Sequence, residues 1–403
     1  MTLTGYIIKR KIEGIFIFPF ILVGRLIAFA KPLKTKYRIF YFFPFFHIGG
    51  AEKVHYQVAQ ATGGKDCVIF FTRKSHNKLF FSEFEKSGCT IRDISSFTDN
   101  KWLYFLNLIY RGIISGHINK QTKDTIVFNG QCNFGYKISP WVNKSFPQIE
   151  LIHALNTFSY IRIPFISFYR ACITVSDEII ARHKQLYKNI RVPDSFWNKF
   201  CFITSKVELP GTKITGKKYN ENPIVILYVG RGTVEKRPQI ASLLAKRIIS
   251  KGLSARFEFA GDVQKNIPDD QRSFCFFYGD VSNETELGQI YHNAHVLLIP
   301  SSTESGPLVF MEAMARGVAI ISTPVGYIPE HIHNYQSGFV TTELYDEEMV
   351  VEEMEVYIEK LIDDRDLLTR IGEFNIRYAY DNFDLEGFKA EYRQLFNSIN
   401  NNA

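Results

Sequence analysis

A chain of 403 residues is longer than one hydrophobic core usually serves, so two domains are expected. With 46% hydrophobic and 22% charged residues and no biased tract, the composition excludes a disordered or fibrous protein. The net charge of +7 hides a division, since residues 1–210 carry +16 and residues 211–403 carry −9, and oppositely charged halves imply different partners.

The first 38 residues stand apart. Lys9, Arg10 and Lys11 precede an apolar run from Ile15 to Ala30, Arg25 interrupts it, and Lys31, Lys34, Lys36 and Arg38 close the segment, with Glu13 as its single acid. That run is short for a membrane span and holds a charge. We expect in-plane attachment to the anionic cytoplasmic face of an inner membrane. A transmembrane anchor and a secretory signal ending at Ala28-Phe29-Ala30 are the competing readings. The six cysteines include no C-x-x-C pair and lie mostly in apolar runs, so they read as reduced core thiols of a cytoplasmic protein. No zinc or haem spacing occurs, and His153, His292 and His295 form no recognisable ligand set, so no metal is expected.

The run 39–46 reads as a strand ended near Pro44, and His47-Ile48-Gly49-Gly50 then opens a helix through Ala61. Further strands are expected at 67–72, 90–94, 125–128, 148–152 and 171–175, with a helix at 102–118 and another, capped by Ser176-Asp177-Glu178, through Tyr187. Alternation of this kind makes a mostly parallel sheet whose ligands sit at strand carboxyl ends, which places His47, Gly49, Gly50, Asn129 and His153 on one rim. Residues 206–223 are polar and rich in Gly and Pro, and form the junction.

A second α/β unit begins with the strand 224–229, which ends in Gly230-Arg231-Gly232 before a helix to about Ile249. Arg231 and Lys236 flank this loop as two cations suited to clamp a diphosphate. Strands at 255–260, 273–278 and 296–300 follow, then the loop and helix SSTESGPLVFMEAMARG, and a strand at 318–322. Glu304 stands in that loop and Glu312 in that helix. Pro307 suits the first helical turn, whose free amides favour an anion. Two carboxylates beside an anion site suggest a ligand with hydroxyls as well as phosphate, such as a nucleotide sugar. From Asp346 the chain is expected to be helical almost to its end, with Glu347, Glu348, Glu352, Glu353, Glu355 and Glu359 on a solvated face.

Residues 230–238 and 300–326 together resemble the retaining glycosyltransferases of the GT-B fold, in particular the bacterial hexosyltransferases of surface polysaccharide synthesis. Arg231 and Lys236 resemble that family's diphosphate motif, Glu304 and Glu312 its paired glutamates, and Gly49-Gly50-Ala51-Glu52 its amino-terminal glycine-rich turn. The resemblance implies an α/β fold of two Rossmann-like domains facing across a cleft, with a carboxyl-terminal helix crossing back. It also implies site roles. Arg231 and Lys236 would hold the donor diphosphate, and Glu304 the transferred sugar, with Ser305, Gly306, Pro307 and Leu308 lining the loop. Glu312 would accept from the ribose hydroxyls, Gly279 to Val281 would edge the base pocket, His153 would approach the reaction centre, and Gly49-Gly50 would leave room for phosphate or acceptor.

The sequence departs from the family pattern at three places. Gly306-Pro307 fills positions where an aromatic and a glycine are common, Tyr327 stands where a second glycine is common, and Gly232 replaces an apolar residue.

The expected organisation is a membrane-associating segment (1–38), an acceptor-side domain (39–205), a linker (206–223), a nucleotide-sugar-binding domain (224–383) and a crossover helix and tail (384–403). The expected activity is metal-independent transfer of a hexose, with retention, from GDP-mannose or a UDP-hexose. The acceptor would be a lipid-linked or growing saccharide, and no cofactor is expected. A non-catalytic nucleotide-sugar-binding subunit and a GT-B epimerase are the alternatives. Nucleic acid is not an expected partner, because the 36 Phe and 21 Tyr run through apolar strands instead of interleaving with cations.

Overall fold

The computed structural model of the protein describes residues 1–211, 217–304 and 306–401. The chain divides into two compact units, one formed by Met1–Thr204 with the chain from Glu386 onward, the other by Ser205–Leu385.

Unit 1 is built on a parallel sheet of β1 (Ile39–Phe43), β2 (Cys67–Phe71), β3 (Thr90–Asp93), β4 (Ile126–Asn129), β5 (Gln148–Ile152), β6 (Ala171–Thr174) and β7 (Phe200–Phe202), ordered β3-β2-β1-β4-β5-β6-β7. Every residue of β1, β2, β4 and β5 is buried. A parallel sheet covered on both faces needs continuous apolar strands, which is why IFYFF and CVIFF do not alternate. Ile39 pairs with Cys67 on one side and Ile126 on the other, so the strand order reverses at β1, the place where such sheets open a crevice.

The first helix, α1 (Leu3–Ala30), is about 42 Å long at 1.5 Å per residue. By length and composition it could cross a membrane, its apolar window having a mean hydropathy of 2.0. It packs on the helix Tyr104–Ile118, here α3, whereas α2 (Gly50–Thr62) follows β1. Two glycines permit the close α1–α3 crossing: a Cβ on Gly24 would overlap the Ile109 carbonyl, and one on Gly112 would overlap that of Ile21. The structure inverts the usual arrangement of such a helix. Arg25, which interrupts the apolar run, donates to the Trp141 carbonyl at 3.0 Å, and Arg10 donates to that of Pro164 at 2.5 Å. Ile12, Ile15, Phe16, Val23, Leu26 and Phe29 are exposed instead.

The carboxyl-terminal helix, Leu385–Asn401, packs from Glu386 onward into unit 1, as the resemblance implied. Its Arg393 donates to the Ala61 carbonyl at 2.9 Å, and Phe396 lies 5.6 Å from Phe128, centroid to centroid.

Unit 2 carries a second parallel sheet of β8 (Ile224–Val229), β9 (Ala255–Ala260), β10 (Cys275–Gly279), β11 (Val296–Ile299), β12 (Ala319–Ser322) and β13 (Gly338–Val340), ordered β10-β9-β8-β11-β12-β13. Here the reversal falls between β8 and β11, so the loops after those two strands are neighbours. Each is followed by a helix, α4 (Pro238–Ser250) after β8 and α5 (Leu308–Met314) after β11. The acidic face expected near 347–359 is not uniformly solvated. Glu355 is buried and paired with Arg247 at 3.1 Å and Lys251 at 2.8 Å, while Glu353 accepts from the Thr342 amide at 2.7 Å. These carboxylates fasten the helix to α4 and to the turn before it.

Candidate functional site

In unit 2 the loops after β8 and β11 are tied to each other before any ligand is considered. The Ser302 amide donates to the Glu235 carbonyl at 2.8 Å. The Tyr228 hydroxyl reaches the Arg231 and Lys236 carbonyls at 3.2 and 3.3 Å. Thr323 Oγ1 donates to the Ser301 carbonyl at 2.5 Å and so holds the start of the β11 loop. On this scaffold the Lys236 ammonium forms an ion pair with Glu304, whose Oε1 also accepts from Ser301 Oγ at 2.8 Å. Two residues separated by 68 positions in sequence thus share one charged cluster, with the Glu304 side chain 9% exposed. Arg231, on the same loop, is exposed and makes no ion pair among the described residues, while Arg237 is committed to Glu347 at 3.2 Å and the Leu344 carbonyl at 2.6 Å.

Glu312 is buried on α5, and Tyr291 donates its hydroxyl to Glu312 Oε2 at 2.9 Å. Burial, with the Glu312 charge beside it, pushes the Tyr291 phenol well above its ordinary range, so this hydroxyl stays a donor. Pro307 does not enter the helix: it stands immediately before α5 with ψ 120°, because its extended backbone turns the loop into the first helical residue, Leu308. Gly279 closes β10 with φ +72°, and Val281 is buried just beyond it. Ser305, expected in the loop, lies outside the described residues.

Two of the departures from the family pattern, at Gly306 and Tyr327, have a common explanation. A Cβ at Gly306 would stand 2.6 Å from Tyr327 Cε1, so the ring of Tyr327 fills the space a side chain at 306 would take. The aromatic missing from the β11 loop is supplied from the loop after β12. Tyr327 is 2% exposed, and its hydroxyl has no hydrogen-bond partner among the described residues. Burial first, then the charges of Glu304 and Glu330, raise its pKa. At Gly261, which follows β9 with φ +126°, a Cβ would overlap the Gly230 carbonyl, so that the β8 and β9 turns pack backbone to backbone. Gly232 likewise admits no side chain, since a Cβ there would stand 2.6 Å from the Asp262 carbonyl.

Unit 1 has a site of different character. β5 delivers His153, whose Nε2 is 2.8 Å from His55 Nε2 on α2. The His153 amide donates to Gln131 Oε1 at 3.0 Å, and Gln131 Nε2 donates to the Ala154 carbonyl at 2.9 Å, which clamps the strand end. Beneath it, Glu150 of β5 and Arg162 form a fully buried ion pair. His55 is buried and stacked 4.5 Å from Phe43. Burial lowers both histidines, to about 4 for His153, and a charge on His153 further disfavours one on His55, so one neutral ring donates to the other. Sequence reasoning found His153 but missed His55 and Gln131, which are separated from it by 98 and 22 positions. Asn129, placed on the rim by sequence, is instead structural: it is buried, donates to the Tyr169 hydroxyl at 2.9 Å and accepts from the Cys132 amide at 2.8 Å. At the glycine turn the Glu52 carboxylate fills the space beside Gly49 and lies 3.8 Å from His47, whereas a Cβ at Gly50 would meet nothing within 4 Å.

Residues 212–377 match the family model described as glycosyl transferases group 1. The capsular polysaccharide biosynthesis glycosyltransferase CapM of Staphylococcus aureus is 26% identical over 202 residues, 48% of this chain and 52% of that protein. The sulfoquinovosyl transferase SQD2 of Arabidopsis thaliana is 34% identical over 122 residues, 29% and 22% respectively. The chain therefore spans about half, or less, of the length of these two relatives. Among solved structures, Anabaena HepE in complex with UDP and glucose superposes with a TM-score of 0.69 at 13% identity, over 90% of this chain and 100% of that one. The sucrose-phosphate synthase of Thermosynechococcus elongatus gives 0.70 at 14% identity, over 91% and 100%. Two parallel-sheet units in this topology give the chain the GT-B fold, and the group 1 glycosyl transferase model matches most of the second unit.

Proposed function

We propose that the protein is a retaining glycosyltransferase that moves a hexose from a nucleotide sugar, GDP-mannose or a UDP-hexose, to a lipid-linked or growing saccharide in bacterial surface polysaccharide synthesis. The observation that carries this reading is the Lys236–Glu304 pair beside exposed Arg231 at the switch point of unit 2. A leaving nucleoside diphosphate gains charge as the glycosidic bond breaks, and two positioned cations in a partly water-excluded site stabilise it. The donor's diphosphate competes for the Lys236 ammonium. Glu304, released from that partner, then accepts from the sugar hydroxyls, while Glu312, oriented by Tyr291, accepts from the ribose. Gly279 and Val281 edge the base pocket, and Gly306, Pro307 and Leu308 follow Glu304 along the sugar.

In unit 1, His153, held by His55 and Gln131, is assigned to the sugar, and Gly49-Gly50 to the phosphate or acceptor. Front-face attack, with the departing phosphate taking the acceptor proton, accounts for retention without a protein nucleophile. Glu312 is engaged by the ribose, so the two glutamates do not act as a glycosidase pair. The chemistry uses no metal and no cofactor beyond the donor, so turnover persists in chelator. The protein works in the cytoplasm, attached peripherally through α1 to the anionic face of the inner membrane.

The test is a thermal-shift panel of nucleotide sugars on the detergent-purified chain, followed by turnover with the donor that binds. A ligand of the folded state raises its apparent stability. One donor should raise it clearly, and the absence of a shift with every donor and free nucleotide would refute the reading.

A further inference from the structure

Between α1 and the body of unit 1 lies an open cavity of about 1160 Å³. Its walls combine cations with aromatic rings. Arg10, Lys11, Arg111, Lys137 and Lys144 face it, and Glu13 is the only acid among the described residues that line it. None of these five cations forms an ion pair among the described residues, and the carboxylate of Glu13 turns to Lys9 at 3.9 Å.

Arg111 makes the imbalance specific. It is 4% exposed, and its guanidinium donates only to neutral acceptors, Asn107 Oδ1 and the Tyr104 hydroxyl, both at 2.9 Å. Lys137 reaches the same hydroxyl at 3.3 Å. Burial pushes the Tyr104 phenol up, yet the two cations outweigh it and its pKa is lowered, the mark of a positive local potential. A buried cation without a carboxylate is costly unless a further anion offsets it.

That anion is amphipathic, by the shape of the surroundings. Phe18, Trp141 and Phe168 line the same cavity, and α1 turns Ile12, Ile15 and Phe16 outward beside it. A free polar anion would leave those faces in water, whereas a lipid places its phosphate among the cations and its chains along α1.

The geometry points to a binding site for the phosphate headgroup of an anionic phospholipid in the groove between α1 and the 137–146 segment, so that α1 is seated on the membrane by a held lipid and not by its apolar face alone. This rests on the reading of α1 as a membrane-surface helix, and goes beyond it by assigning a headgroup site.

The experiment is flotation of the full chain with phosphatidylcholine vesicles, and with the same vesicles doped with phosphatidylglycerol, in the presence and absence of soluble glycerol phosphate. Wild type should prefer the doped vesicles, and glycerol phosphate should not displace it. Lys137→Gln/Lys144→Gln should lose about ten- to thirtyfold of that preference, the effect of removing two cations near an anionic surface, and keep its binding to phosphatidylcholine. Lys31→Gln/Lys34→Gln, which removes two cations outside the groove, should keep the preference. An equal loss in both variants would show diffuse attraction and overturn the site. Displacement by glycerol phosphate would assign the groove to a free anion and overturn the lipid. Wild-type binding without headgroup preference would overturn the site but leave the membrane reading standing, whereas no flotation with either vesicle would overturn that reading itself.

Discussion

The two units put opposite electrostatics on the same kind of scaffold. In unit 2 the loops after β8 and β11 hold a charged cluster, with Lys236 paired to Glu304, Glu312 oriented by Tyr291 and Arg231 exposed. In unit 1 the middle of α2 and the end of β5 hold two histidines that burial keeps neutral, hydrogen-bonded to each other. A parallel sheet with a switch point supplies the rim in both cases. What each rim carries fits the group proposed for it, the donor's charged diphosphate at the cations of unit 2 and an uncharged sugar at the neutral histidine of unit 1.

The sharpest way to break this comparison is to remove unit 2's charge. Lys236→Ala or Arg231→Ala should lower turnover about 10²- to 10³-fold, as removal of a preorganised transition-state donor does. The effect should fall mainly on kcat. Lys236→Ala also leaves Glu304 without its cation, so circular dichroism and a melting curve must show the fold intact before the rate is read. Parental turnover in either variant would remove the diphosphate clamp from the mechanism.

The rim of unit 1 should answer to pH through His153. His153 is held at about 4 in the folded protein against about 6.5 unfolded, so between these values the unfolded chain binds more protons. The contribution to stability is therefore full above about pH 6.5 and is lost as pH falls toward 4. With the ring partly exposed, we expect it to be about 2 kcal/mol, somewhat less than the whole shift implies. His183, also lowered to about 4 by burial and the nearby Arg162 charge, adds a slope of the same sign. The His153→Gln variant should remove only its own share, visible as a flatter dependence of denaturation midpoint on pH. An unchanged slope would mean that the pair does not hold His153 neutral.

The two rims were also unequally legible in sequence. Unit 2's cluster is carried by local signals, a strand ending in Gly230-Arg231 and a Glu304-to-Glu312 spacing on a loop and helix, and two of the residues that read as a site, Lys236 and Glu304, meet in space. β7 and β13 escaped notice because three residues show no period. In unit 1 the partners of His153 come from other segments, and nothing along the chain marks His55 as different from a core histidine. The charged residues of α1 misled for a related reason. Arg25 looks like an interruption of an apolar span, but its partner is a carbonyl 116 positions away, so the charge faces the protein.

A milder probe of unit 2 leaves its charges in place and removes an orienting group. Tyr291→Phe deletes the hydroxyl that donates to buried Glu312. Losing a hydrogen bond to a buried charge costs about 1.5–3 kcal/mol, part of which the bound ribose would restore. Donor affinity should fall about tenfold by calorimetry, and kcat should change far less. A fall in kcat with unchanged affinity would place Glu312 at the reacting centre instead of the ribose.

The smallest effect should come from the aromatic that crosses between loops, and it separates shape from charge within unit 2. The Tyr327 hydroxyl is buried without a partner among the described residues, so Tyr327→Phe should leave stability unchanged or raise it by up to about 1 kcal/mol. Its ring is a different matter. Gly306→Ala would drive a methyl to 2.6 Å from that ring and should destabilise the protein and slow turnover. In a Tyr327→Ala background the same methyl no longer meets that ring. A double-mutant cycle should therefore give a coupling of about 1–2 kcal/mol, the sign being rescue. Additive losses would mean that the ring does not substitute for the missing side chain at 306, and that Gly306 is required by the donor or by the loop's own backbone.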